Sequence, residues 1–263
     1  MKPITLTDID DVRLAPFRDL NRRTGAASTD RFVVEGRHLV KRLLNSDFTV
    51  ESIVCSGRMA AEFTALALEQ SVPLLIAADD LIHTLVGFEF HRGVLACGLR
   101  PQPASMPITT GTIIICPNVR DAENLGSIMR TSRALGVSGL VVGSGAADPY
   151  SRRAVRVSMG TAFDLPISIV DEFLPTVVEL KRIGFKVFAT MLSEQSVALQ
   201  DINDVPHNLA IVLGSEADGL DETWSEMADV QVVVPMSAGV DSLNVGVAAG
   251  IVIHRLMELS GKR

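Results

Sequence analysis

Apolar residues come in short runs along this chain, spaced as strands are spaced in an α/β protein. In the second half the runs are Thr112–Cys116, Gly139–Val142, Ile167–Val170, Phe185–Ala189, Leu209–Leu213 and Val230–Val234. Most are rich in Val and Ile and are separated by helix-length stretches, a pattern that predicts parallel strands buried on both faces. Leu125, Ile128, Met129 and Leu135 form one apolar stripe of a helix, with Arg130 and Arg133 on its other side. A final helix, from about Asn244 to Leu259, is apolar around much of its circumference and is expected to be buried. The first hundred residues alternate too, less cleanly. Phe32–Gly36 reads as a strand entering a helix over Arg37–Leu44; Glu51–Cys55, Pro73–Ala77 and Gly93–Cys97 read as strands, and Ala60–Gln70 as a helix. Between the halves, Arg100–Gly111 holds three prolines and no sustained apolar period, which marks a linker. The expectation is two α/β domains, over residues 1–100 and 111–263, joined by a Pro-rich linker at 101–110.

Composition narrows the class. Of 263 residues, 47% are hydrophobic and 21% charged, which excludes disorder, collagen-like repeats and coiled coil as the main architecture. No apolar run is long enough to span a bilayer, and Asp8, Asp10 and Asp11 stand where a signal peptide needs an apolar stretch. Cys55, Cys97 and Cys116 are far apart and form no C-x-x-C, so a disulfide scaffold or zinc ribbon is not expected. A cytoplasmic protein with no membrane partner follows. The net charge of −7 conceals an asymmetry: Arg13–Arg42 carries +5, Asn118–Arg156 carries +3, and the chain from Val157 onward carries −9. Polyanions respond to the local potential, and arginine outnumbers lysine in both basic segments, which suits phosphate contacts.

Ligands of α/β sheets bind at the C-terminal ends of strands, so those loops carry the chemistry. Gly143-Ser-Gly145 follows a strand but lacks the third glycine of a dinucleotide fingerprint, and no phosphate-loop lysine spacing occurs. The five histidines form no H-x-x-x-H pair, and no metal is expected. Three other strand ends stand out. In Asn118–Arg130, Asn124 is placed to cap a helix, Gly126 permits close approach, and Arg130 lies farther along that helix. Ile211–Leu220 ends a buried strand in a glycine-flanked turn presenting Glu216. Val232–Asn244 is a strand, a glycine-containing loop and a helix start with Ser242 and Asn244.

Taken together and in this order, N-L-G-x-x-x-R at 124–130, L-G-S-E-A-x-G-L at 213–220, and P-M with S-L-N-V at 235–245 resemble the three motifs of the SpoU (TrmH) family of RNA ribose 2′-O-methyltransferases, within the SPOUT superfamily. The resemblance covers roughly Gly111–Leu259. A looser one covers the first domain, where Phe32–Gly36 and His91–Val94 look like the opening and closing signatures of the family's substrate-binding domain. One departure is Gly246, where many relatives have serine.

The resemblance implies an α/β fold with a trefoil knot in the C-terminal SPOUT domain, plus a smaller N-terminal α/β/α substrate-binding domain. It implies a homodimer formed through the C-terminal domain and S-adenosyl-L-methionine as methyl donor to a ribose 2′-hydroxyl. The RNA would be rRNA or tRNA, with 23S-type rRNA ahead; the alternative is a non-catalytic RNA-binding protein retaining the fold. Gly214, Val234 and Leu243 would hold the cofactor, with Thr190, Met236 and Gly219 as neighbours. Arg130, Asn124, Glu216, Ser242 and Asn244 would form the catalytic cluster. There Arg130 would fix a phosphate and stabilise developing alkoxide charge, Glu216 would orient Arg130, and Ser242 and Asn244 would position the ribose. Asn124 would hydrogen-bond Arg130 or the substrate. Arg18, Arg22, Arg23, Arg31, Arg37, Lys41 and Arg42 would set RNA affinity. Arg120, Arg152, Arg153 and Arg156 are further RNA contacts and candidates for a basic residue lent across the dimer.

Overall fold

The computed structural model describes residues 2–18, 20, 30–87, 90–101, 108–215, 219–240 and 242–261. In chain order the elements begin with β1 (Ile4–Thr5), β2 (Arg31–Glu35), α1 (Arg37–Leu44), β3 (Val50–Ser56), α2 (Gly57–Glu69), β4 (Leu74–Ala77), α3 (Asp79–Val86) and β5 (Val94–Leu99). There follow β6 (Thr112–Cys116), α4 (Ala122–Ala134), β7 (Gly139–Gly143), α5 (Arg152–Val157), β8 (Ile167–Val170), α6 (Phe173–Arg182) and β9 (Lys186–Thr190). The chain closes with β10 (Val197–Ala198), β11 (Leu209–Val212), α7 (Glu222–Met227), β12 (Val230–Val233) and α8 (Val245–Leu259).

The chain divides into two compact units: Met1–Gln102 with Tyr150–Phe163, and Pro103–Pro149 with Asp164–Arg263. The first is built on a five-stranded sheet ordered β1-β4-β3-β5-β2. β1, β4 and β3 run parallel, whereas β5 is antiparallel to both β3 and β2. One face of this sheet buries Val33, Val54, Leu75, Leu95 and Cys97 against Leu14, Phe17, Ile82, Leu85 and Val86.

Residues 150–163 depart from the expected domain boundary, because they fold with the N-terminal sheet. Tyr150 and Phe163 pack with Phe32 and Phe48 at ring-centroid distances of 5.5–6.0 Å. The Arg100 guanidinium lies over the Tyr150 ring at 5.5 Å. Arg152 faces the buried Glu35 at 4.0 Å, and Arg92 approaches the same carboxylate at 3.6 Å. Aromatic burial and a shared carboxylate fix this segment, and neither leaves a trace in local periodicity. Of the expected linker, residues 102–107 lie outside the described residues.

The second unit carries a seven-stranded, wholly parallel sheet ordered β10-β12-β9-β11-β6-β7-β8. Its inner strand β6, Thr-Ile-Ile-Ile-Cys, is buried along its whole length. Ile113 and Ile115 join the core formed with α6 and α7, and Ile114 points to the opposite face by strand alternation. Leu125, Ile128 and Met129 bury the inner stripe of α4, with Arg130 and Arg133 outside it. The last helix is not wholly buried. Val247 is 55% and Ile251 41% exposed, leaving an apolar strip uncovered on α8. The two-residue strands β1 and β10 are too short for an apolar run to announce them.

Candidate active site

β6, β11, β9 and β12 are neighbours or near-neighbours, and the loops leaving their C-terminal ends open onto one edge of the sheet. After β6, Asp121 caps α4 by accepting from the amides of Glu123 at 2.7 Å and Asn124 at 3.0 Å. Asn124 therefore is not the cap. It sits in the first turn of the helix, and its Oδ1 accepts a hydrogen bond from Asn244 Nδ2 at 2.9 Å. Asn244 is itself the N-cap of α8, its Oδ1 accepting from Gly246 N at 3.0 Å and Val247 N at 3.2 Å. One amide side chain thus starts α8 and ties it to α4. Gly246 belongs to the same junction: a Cβ there would lie 3.2 Å from Ser127 Oγ and 3.3 Å from its Cβ. A side chain at 246 would need Ser127 to give by a few tenths of an ångström.

After β11 the chain turns back on itself. Gly214 is pressed against Gly219, so a Cβ at 214 would stand 2.6 Å from the Gly219 carbonyl carbon and 2.8 Å from Leu220 N. Glycine at 214 is required by that backbone contact, and Gly219 adopts a left-handed φ of 64°. At the end of β9, Thr190 Oγ1 donates to the Val212 carbonyl at 3.0 Å.

A cavity of about 460 Å³ opens between these loops and the start of α8. Thr190, Gly214, Gly219, Val234, Met236 and Leu243, the six residues expected to hold a cofactor, all line it, and so does Ser242. Met191, Leu192, Ser215, Leu220, Val232, Val233, Val245, Ala248 and Val252 complete the wall. Ser215, Leu220 and Val245 belong to the quoted motifs; the other six had no signal in the sequence beyond being apolar or small.

Arg130 borders a different hollow of about 910 Å³, with Gln200, Pro235, Ile251, His254 and Arg255 among its neighbours. Val234 lines both hollows. Arg130 is exposed, and among the described residues none hydrogen-bonds its side chain. Glu216 lies outside the described residues.

The SpoU rRNA methylase family model matches residues 111–254, the stretch that contains every loop described above. The chain belongs to the SpoU family. SpoU relatives extend the likeness beyond that stretch. A protein of Mycobacterium tuberculosis named as an uncharacterized tRNA/rRNA methyltransferase is 37% identical over 94% of this chain and 89% of its own length. The 23S rRNA (guanosine(2553)-2′-O)-methyltransferase of Bacillus subtilis is 28% identical over 93% of this chain and 95% of its own. An AdoMet-bound rRNA methyltransferase from Sinorhizobium meliloti superposes with a TM-score of 0.82 at 25% identity, covering 95% of this chain and 96% of that one.

The basic residues expected to meet RNA are placed less simply than this SpoU chain's charge count implies. Arg31 is held by Glu51 through hydrogen bonds of 2.5 and 2.8 Å. Arg37 and Lys41 share Glu62, at 2.6 and 2.5 Å. Arg18 reaches Asp10 at 3.4 Å and the Ile9 carbonyl at 2.5 Å, while Arg42 donates to the Met159 carbonyl at 2.6 Å. Lys41 and Arg37 draw the Glu62 carboxyl below its ordinary range, and Arg31 does the same to Glu51. The local surplus of positive charge is thus partly neutralised by carboxylates brought in by folding. Arg22 and Arg23 lie outside the described residues. Arg120 is exposed on the loop after β6, whereas Arg152, Arg153 and Arg156 sit on α5 in the N-terminal unit. Burial presses the Arg152 guanidinium below its usual value, against the pull of Glu35. Of these α5 residues, Arg153 is the exposed one. Burial also pushes the Cys116 thiol up to about 12, which leaves it inert at neutral pH. Among the described residues no helix is long and apolar enough to cross a membrane.

Proposed function

We propose that this chain transfers a methyl group from S-adenosylmethionine to a ribose 2′-hydroxyl of RNA, with 23S-type rRNA ahead of tRNA as substrate. The observation that carries the reading is convergence: loops separated along the chain form one cavity beside the Asn124–Asn244 pair. The cavity suits the cofactor. Its volume falls within the ~300–1,000 Å³ of small-molecule sites, and its walls are apolar with Thr190, Ser215 and Ser242 as the hydroxyl groups. Among the described residues it offers no glycine-rich phosphate cradle, and this cofactor has no phosphate to hold. Gly214, Val234 and Leu243 would contact the adenine end and backbone of the cofactor, with Thr190, Met236 and Gly219 around them.

When bound, S-adenosylmethionine supplies an electrophilic methyl group on a sulfonium. The chain must then bring the hydroxyl oxygen into line behind it and exclude other orientations. Asn244 and Ser242 are the positioning groups, and the hydrogen bond to Asn244 holds Asn124 beside them. Arg130 acts electrostatically. A guanidinium has only donors and keeps its charge, so it fixes a phosphate and stabilises alkoxide character rather than taking a proton. The reading extends to the family's trefoil knot, supported by β11 lying inside the sheet between β9 and β6, although it follows both in the chain. It also extends to a homodimer, supported by the uncovered Val247–Ile251 strip beside the Arg130 cleft.

The test uses the purified full chain with radiolabelled S-adenosylmethionine and, separately, 23S rRNA and bulk tRNA, followed by mapping of 2′-O-methyl positions. Label in 23S rRNA at a single nucleotide is expected. Saturable cofactor binding with no transfer to either RNA would replace the enzyme reading with a non-catalytic RNA-binding one.

A further inference from the structure

The hairpin after β11 is held by a side chain outside the three motifs' matched positions. Asn118, just past the end of β6, accepts at Oδ1 from the Ser215 amide at 3.0 Å and donates through Nδ2 to the Gly219 carbonyl at 3.3 Å. Ser215 and Gly219 also bond each other in both directions, Ser215 N–H to Gly219 O at 3.2 Å and Gly219 N–H to Ser215 O at 3.0 Å. The Asn118 amide therefore sits astride a closed backbone ring. Its orientation is dictated by its partners: turned over, the amide would set oxygen against a carbonyl and NH2 against an N–H.

A turn-forming asparagine bonds its own backbone two or three residues away. Asn118 instead bonds residues 97 and 101 positions distant. Both partners line the 460 Å³ cavity, and Gly214 beside them has its backbone packed on Gly219. We propose that Asn118 is a positioning residue for the methyl-donor site: it clamps Ser215 and Gly219 to the end of β6 and so fixes one wall of the cofactor cavity. The clamp holds both ends of the segment that carries Glu216 in sequence. The inference rests on the reading of the cavity as the S-adenosylmethionine site.

The test separates the two claims. In the ligand-free full chain, hydrogen exchange at the Ser215 amide should accelerate roughly tenfold or more in Asn118→Ala, as expected for losing a pair of hydrogen bonds. Amides within β6 and β11 should exchange as in the wild type. Calorimetry with S-adenosylmethionine should show affinity weakened by a similar factor. Asn118→Asp keeps the acceptor for Ser215 and loses the donor for Gly219. Its affinity should therefore begin to recover as the pH is lowered from 7.5 to about 4, where an ordinary aspartate carboxyl is about half protonated, with no such recovery in Asn118→Ala. Unchanged Ser215 exchange in Asn118→Ala, or affinity within twofold of wild type, overturns the clamp. If Asn118→Ala also loosens β6 and β11, Asn118→Asp decides by its pH profile: a flat one overturns the proposal. A wild type with no saturable heat would overturn the cofactor reading, while the Ser215 exchange still judges the clamp.

Discussion

Arg130 stands on the outer side of α4 and borders a cleft that shares Val234 with the cavity. It is exposed, and among the described residues none hydrogen-bonds its side chain. In the proposed role Arg130 is a charged donor to the reacting region, and losing such a donor costs ~10²–10³ in rate when it stabilises developing charge. Arg130→Ala should therefore lose methylation by at least that factor in a labelled-methyl assay, while calorimetry finds its S-adenosylmethionine affinity within twofold of wild type. Turnover near the wild-type rate would remove Arg130 from the mechanism. Asn124 teaches a different lesson at this scale. Its type and place suggest a helix cap, yet Asp121 three residues earlier takes that role, and Asn124 bonds Asn244, 120 residues away. A capping preference is a local property, and two candidates three residues apart share it; the folded structure makes Asp121 the cap and pairs Asn124 with Asn244.

At the scale of elements, the strands of the parallel sheet were legible because both of their faces are buried, which writes continuous Val and Ile runs into the sequence. The expected bounds of β6 and β8, and of α1 in the N-terminal unit, coincide with the observed ones, and those of β7, β9, β11 and β12 agree within a residue. The loops between them were legible only as motifs, since their shape depends on backbone meeting backbone. Gly214 is the clearest case, with no room for a methyl group against Gly219 and Leu220. Gly214→Ala should open the hairpin and weaken S-adenosylmethionine binding about tenfold or more in calorimetry, with the circular-dichroism spectrum of the fold retained. Binding equal to wild type would mean that the wall of the cavity can move without cost. Helix α8 departs from its pattern: an apolar circumference predicts burial, but Val247 and Ile251, one turn apart, stay uncovered. An apolar strip of this kind suits a second copy of the chain. Ile251→Asp should shift the sedimentation profile from dimer to monomer with secondary structure unchanged; a wild-type chain that sediments as a monomer would end the dimer reading.

At the scale of the whole molecule, the chain divides within the Pro-rich stretch, between Gln102 and Pro103, but not only there. Residues 150–163 leave the C-terminal stretch of sequence and fold with the N-terminal sheet, through Tyr150, Phe163 and the Arg152–Glu35 contact. A truncated chain starting at residue 103 leaves that segment without its partners. Amide exchange in Arg152–Val157 should then rise to the rate of unprotected chain, while β6 and β11 keep their protection; undiminished protection of Arg152–Val157 would show that the segment folds without the N-terminal sheet. Read by itself, the sequence determined the two α/β layers, most strand positions, the three motif loops and the family to which they belong. Periodicity and motif spacing are short-range quantities, and burial on both faces of a strand imprints them directly. What only the tertiary structure decided were pairings between residues far apart: which carboxylates neutralise Arg31, Arg37 and Lys41, which asparagine meets Asn244, and which sheet Tyr150 and Phe163 complete. Such contacts depend on how the elements pack, and no property of either partner's neighbours in the chain encodes them.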